Sequence, residues 1–134
     1  HPKAASTALA AESEAAAELA ALLKAQGLAP GTTAELAAEA GVDAGLARKV
    51  LGKLAAEGSV LRLGPDLHFD AAAVAAAREQ IVGHLREHGT ILAKDARDLT
   101  GSSRKYILPL LEYFDAQGIT KRDGDTRTLG KASG

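Results

Sequence analysis

The chain has 134 residues, a formal net charge of −1, no cysteine and four aromatic side chains, two Tyr and two Phe. Disulfide scaffolds and thiolate metal sites are thereby excluded, and any core must be small and aliphatic. A length of this order accommodates one or two small domains, and near-zero net charge argues against a protein that coats long duplexes.

In chain order, an alanine-rich opening helix, interrupted by Glu12, Glu14 and Glu18, runs to a stop at Gly27. A connection from Leu28 to Thr33 leads into a short helix and a turn at Gly41. A second helix then carries Ala47, Val50, Leu51 and Leu54 on one stripe, at the spacing of a buried helix face. Gly45, Lys49, Gly52 and Ala56 face outward and offer little chemistry. Gly58 stops this helix, and Ser59 to Phe69 reads as a two-stranded hairpin carrying Arg62, Pro65 and Asp66. The boundary falls near Asp70, which opens the run Ala71, Ala72 and Ala73. With no flexible linker there, a relatively stiff connection is expected.

The second half repeats this order. A helix ends at Gly89, Ala93 to Leu99 makes a short helix, and the Thr100-Gly101 turn leads into a second helix, a helix-turn-helix arrangement. Ser102 and Ser103 are a start signal, since a serine oxygen accepts an amide proton left unpaired at a helix opening. Ile107, Leu110, Leu111 and Phe114 follow at i, i+3, i+4 and i+7, which predicts one buried stripe. Ser102, Lys105, Pro109, Glu112 and Ala116 then point outward, with Arg104 on one flank and Tyr106 and Tyr113 on the other. Pro109 withholds an amide from the carbonyl of Lys105, so a mild bend is expected. Beyond Gly118, residues 119–122 and 126–129 read as strands around Asp123, Gly124 and Asp125.

At an offset of sixty residues Gly41 matches Gly101, Leu51 matches Leu111, Gly58 matches Gly118, Arg62 matches Arg122 and Gly64 matches Gly124. The chain therefore reads as a tandem repeat. The expected fold class is mostly α with small β wings: two tandem winged-helix domains, each a helix-turn-helix plus a β-hairpin, at residues 1–70 and 71–134. The halves differ in charge. Residues 1–70 hold six Lys or Arg against nine Asp or Glu, and residues 71–134 hold ten against eight. This predicts a spacer or docking unit followed by the contacting unit, with Arg104, Lys105, Lys121, Arg122 and Arg127 converging on one surface. Cations at a helix start oppose the macrodipole, a local conflict that an anion would relieve.

His84-Leu85-Arg86-Glu87-His88 matches a zinc-protease pattern, but the match is read as accidental, because His88-Gly89 is accounted for as a cationic helix end and stop. No metal site is expected. No phosphate-binding loop is present, so the chain is read as a binding module and not an enzyme. A soluble, cytoplasmic, monomeric protein is expected, with no membrane span or signal peptide. Its start at His1 suggests a fragment of a longer chain.

The run GSSRKYILPLLEYFDAQGITKRDGDTR resembles the last winged-helix domain of the bacterial selenocysteine-specific elongation factor family, SelB, closely so from Arg97 to Leu129. The tandem layout is similar to that family's C-terminal winged-helix array. The resemblance implies binding of an mRNA stem-loop, the selenocysteine insertion element, which tethers the factor at a recoded UGA codon. It also implies a GTPase part outside this chain that uses GTP and magnesium, and works with selenocysteinyl-tRNA and the ribosome; no cofactor is expected in this fragment. Carried over by residue, the RNA contacts are Ser102, Ser103, Arg104, Lys105 and Tyr106 at the helix start, Arg122 and Arg127 in the wing, and Lys94 and Arg97 on the short helix. From the residues alone, a DNA-binding tandem winged-helix regulator and a protein-interaction module remain open.

Overall fold

The computed structural model describes residues 2–131, with side-chain surroundings from Ala10 onward. The chain divides into two compact units, residues 1–71 and 72–134. The first holds α1 (Pro2–Gln26), α2 (Thr33–Ala40), α3 (Ala44–Glu57), β1 (Val60–Gly64) and β2 (Leu67–Asp70). The second holds α4 (Ala71–His88, from its second residue), β3 (Ile91–Leu92), α5 (Ala93–Thr100), α6 (Arg104–Ala116), β4 (Thr120–Asp123) and β5 (Thr126–Leu129). The protein is thus mostly helical with small antiparallel sheets.

Each unit has its own aliphatic core. In the first, Ala15, Leu19 and Leu23 recur every fourth residue along α1 and meet Leu36 of α2 and the α3 stripe Ala47, Val50, Leu51 and Leu54, all buried. In the second, Ile107, Leu110, Leu111 and Phe114 of α6 are fully buried, in the same unit as buried Ile81 and Leu85 of α4 and Ile91 of β3. Both expected stripes are therefore the core faces, as a 3.6-residue period demands. Tyr113 is half-buried, and its ring lies 5.8 Å from that of Phe114 at the edge of this core.

The helix ends show how the chain turns into its wings. After α3, Gly58 takes a positive φ and donates to Ala55 O, while the Ser59 amide donates to Leu54 O. After α6, the Gly118 amide donates to Asp115 O and the Ile119 amide to Phe114 O. Both are the paired backbone closure in which a left-handed residue reverses the chain.

The wings differ from the expected pair of hairpins. In the first unit β1 pairs with β2 alone, with a bulge between Arg62 and Gly64. In the second the sheet has three strands in the order β3-β5-β4. Ile91 and Leu92 pair with Arg127 and Thr126, making β5 a central strand. The segment 91–92 is too short for any periodicity to announce it. In the first unit the residues leading into α2 include Pro30 and Gly31, poor strand formers, and the unit's described sheet stays two-stranded. The β4-β5 turn is Gly124-Asp125, one residue narrower than the sequence reading, with Gly124 at φ +63° as a two-residue primed turn asks of its first central residue. Pro109 lies inside α6 without ending it.

Within the first unit, Glu12 of α1 receives both Lys49 and Lys53 of α3 at 2.6 Å. The hydrogen bond from Lys49, and then that from Lys53, lower its pKa from 4.5 to about 2. Because the folded value lies below the unfolded one, this contact stabilises fully above about pH 4.5 and is lost as pH falls towards 2. Thermal melts of Glu12→Gln and the parent should therefore differ at neutral pH by a small, salt-screened gap that closes on acidification through that window. A gap that stays constant with pH would remove this role.

Candidate nucleic-acid interface

The candidate interface begins at the opening of α6. Gly101 closes α5 in the left-handed conformation and donates to Arg97 O, and Ser103 then stands at the N-cap with extended backbone. The capping expectation is corrected here: the Ser103 side chain makes no cap hydrogen bond. Its carbonyl accepts from the Tyr106 and Ile107 amides at 3.1 and 2.8 Å and so opens the helix through the backbone. Ser103, Arg104 and Lys105 are exposed, and Ser102 and Tyr106 are half-buried. Lys105 Nζ lies 5.3 Å from the Tyr106 ring centroid, so a cation covers that aromatic ring.

An uncapped helix start with two flanking cations is a concentrated positive site, because the partial charge of the orphan amides adds to the guanidinium and ammonium charges. The equivalent opening in the first unit is closed. Asp43 stands sixty residues before Ser103, and its carboxylate accepts from the Gly45 and Leu46 amides at 2.9 and 3.3 Å. The two second helices thus share a frame and differ in whether an anion is already in place. Sequence reasoning missed Asp43, although an Asp directly before a helical pattern is a strong cap signal.

In the wing, Arg122 is exposed on β4, and its Nε donates to Gly124 O at 3.2 Å. Arg62 makes the same bond to Gly64 O at 3.2 Å and adds Nη2 to Pro65 O. In each wing the arginine clips the turn while part of its guanidinium stays at the surface. Lys121 is exposed beside Arg122, Lys94 is exposed on α5, and Arg97 is half-buried there.

Arg127 is the second correction. It is 6% exposed, and its Nε lies 3.2 and 3.1 Å from the two carboxylate oxygens of Asp115, with Nη2 at 3.1 Å from Oδ2. Thr120 Oγ1 donates to the same carboxylate at 2.5 Å. Arg127 is buried because β3 makes its strand central, and its charge is spent on Asp115, so it is not an exposed RNA contact. A signal existed in the sequence: Asp115 sits in the last turn of α6, where the macrodipole disfavours an anion unless a cation meets it.

Among the described residues no cluster of three metal-ligating side chains occurs, and no helix is long and apolar enough to cross a membrane. The three-stranded wing, the helix-turn-helix and the open basic helix start together define a winged-helix binding module.

Residues 83–129 match the family model described as the winged helix of elongation factor SelB. A selenocysteine-specific elongation factor from Desulfomicrobium baculatum is 31% identical over 109 residues, covering 78% of this chain and 17% of that protein. Its counterpart from Escherichia coli (strain K12) is 32% identical over 98 residues, covering 73% and 16%. The mRNA-binding domain of E. coli SelB, solved in complex with SECIS RNA, superposes with a TM-score of 0.70 at 30% identity, over 75% of this chain and 84% of that one. A crystal structure of bacterial selenocysteine-specific elongation factor EF-Sec shares the fold, with a TM-score of 0.69 at 24% identity over 87% of this chain and 18% of that one. The chain belongs to the SelB family and carries a winged helix of its C-terminal part. It spans about a sixth of the length of the curated relatives it matches.

If the Arg127–Asp115 pair fixes the wing to α6, Arg127→Ala should destabilise the second unit by about 3 kcal/mol, the lower end for breaking a buried pair, since Asp115 keeps some water. Arg104→Ala, at the surface, should stay within about 0.5 kcal/mol. Both Tyr residues lie in α6, so tyrosine fluorescence during urea unfolding reports on this unit. Equal stability of the two variants would refute the clamp.

Proposed function

We propose that the second unit binds an mRNA stem-loop, the selenocysteine insertion element, and so tethers a selenocysteine-specific elongation factor at a recoded UGA codon. The observation that carries this is the contrast between the two second helices: Ser103 leaves the α6 start open beside Arg104 and Lys105, whereas Asp43 fills that of α3. The SECIS complex of the E. coli relative supports the RNA assignment. Ser102, Ser103, Arg104, Lys105 and Tyr106 form the helix-start contacts, Arg122 and Lys121 the wing contacts, and Lys94 and Arg97 the periphery. Phosphate is met by amides and cations there, while an unstacked loop base finds the Tyr106 edge.

We further infer that the two units are tandem winged helices, at 1–70 and 71–134. The matching backbone closures after α3 and α6 and the matching Arg62 and Arg122 clips, each sixty residues apart, support this. The first unit serves as spacer or docking module, since its α3 cations Lys49 and Lys53 are held by Glu12. GTP, magnesium, selenocysteinyl-tRNA and the ribosome are assigned to the remainder of the factor, which acts in the cytoplasm, and this part acts as a monomer.

The test is a salt titration of binding to a stem-loop taken from downstream of an in-frame UGA in the source genome, with a loop-scrambled RNA and duplex DNA as controls. Tight, loop-dependent RNA binding is expected. Lys105→Ala and Arg122→Ala should each flatten the slope of log affinity against log salt by about 0.7–0.9 if each removes one phosphate contact. Equal, weak binding to all three nucleic acids would overturn the assignment in favour of a protein-interaction module.

A further inference from the structure

A cavity of about 380 Å³ opens in the first unit between α3 and the wing, lined by Arg48, Gly52 and Ala55 on one side, Arg62, Pro65, Asp66 and His68 on the other, and Thr33 at the α2 start. Its chemistry is two-sided. Arg48 and Arg62 are exposed cations at the rim, and Arg62 is already steadied by the turn carbonyls of Gly64 and Pro65. His68 is only 8% exposed, lines the cavity, and has no hydrogen-bond partner among the described residues. Burial above all, and then Arg62, push its pKa down while Asp66 pulls it up, so near neutral pH the ring is uncharged and carries one acceptor nitrogen. Asp66 accepts both the Thr33 amide, at 3.0 Å, and the Thr33 hydroxyl through Oδ1, which leaves Oδ2 unused by Thr33. The Thr33 hydroxyl, ahead of the opposing effect of burial, holds the Asp66 carboxyl below the usual range, so it is ionised.

Neither His68 nitrogen is sealed off without a partner, so the ring keeps its acceptor open to the cavity, where a ligand donor can take the place of water. A bare phosphate or an acidic peptide would satisfy the arginines and be repelled by Asp66. A ligand carrying both an anion and a hydroxyl donor satisfies every group in the cavity. We propose that this cavity holds the ribose-phosphate of an unpaired RNA nucleotide, with the phosphate on Arg48 and Arg62 and the 2′-hydroxyl donating to His68 or to Asp66 Oδ2. DNA lacks that donor, which makes the cavity selective for RNA. The site is distinct from the α6 opening and goes beyond the hairpin reading of the second unit.

Gly52 gives a clean test, because a Cβ there meets nothing within 4 Å and the residue lies inside α3. Gly52→Leu fills the cavity while favouring the helix, and its melting temperature shows that the unit is folded. The probes are oligoriboadenylate and its deoxy counterpart, bound to the full chain at low salt. The parent should prefer the RNA by about tenfold, and Gly52→Leu and Arg48→Ala should abolish that preference. Loop-dependent hairpin binding should be unchanged in both. Equal affinity of the parent for the two oligonucleotides, or a preference that survives Gly52→Leu, overturns the proposal. Loss of hairpin binding alone, with the preference intact, would count against the second-unit reading and leave this one standing.

Discussion

The Asp115 carboxylate organises the second unit. It lies in the last turn of α6, accepts from the Thr120 hydroxyl at the first residue of β4, and takes the Arg127 guanidinium from β5, so one side chain joins the helix to two strands. Each partner solves a problem for the others. An anion in the last helical turn faces the negative end of the macrodipole, and a buried guanidinium demands a counter-charge; together they cancel. Arg122 and Arg127 lie directly opposite across the hairpin, where like charges repel. That pairing is tolerable because Asp115 neutralises one member and the Gly124 carbonyl draws the other towards the turn. The exposed wing cations are thereby held on a strand that cannot slide against α6.

The first unit solves the same wing problem without an arginine clamp. Its wing turn is drawn in by Asp66, which takes both donors of Thr33 at the start of α2. Its α3 opening takes Asp43, and its outward lysines take Glu12. Such self-neutralisation holds back the α3 lysines and the α3 opening and leaves Arg48 and Arg62 at the cavity beside the wing. The acidic balance of residues 1–70 is the compositional trace of these internal pairings.

The core faces were legible because they depend only on local period: both four-residue stripes are buried as the 3.6-residue spacing requires. Helix stops were legible for a similar reason, since Gly58 and Gly118 occupy positions that need positive φ. What escaped was set by contacts between distant residues. Thr33 meets Asp66 across 33 positions and Lys53 meets Glu12 across 41, separations at which spacing carries no information. Arg127 was misassigned for the same reason, because its burial follows from β3, a two-residue strand whose existence depends on its partner. Basic character marked the candidate surface, but only the tertiary structure separates a cation that holds the fold from one that faces solvent.

That separation shows how a chain of net charge −1 can still present a local positive surface. Of the wing and helix-start cations, Arg127 is withdrawn into the fold, leaving Arg104, Lys105, Lys121 and Arg122 exposed in the second unit. Arg104 and Lys105 sit where the macrodipole repels them, and Ser103 supplies no anion to relieve the conflict. Under the proposed RNA-binding reading, that unfavourable interaction is relieved when a phosphate sits between the amides and the two cations. A few contacts of that kind give a steep local preference for an anion without the broad positive field that would hold the protein on any nucleic acid. In that proposed reading, specificity is left to the shape of the RNA and to bases that reach the Tyr106 edge, which suits a compact folded loop better than a uniform duplex.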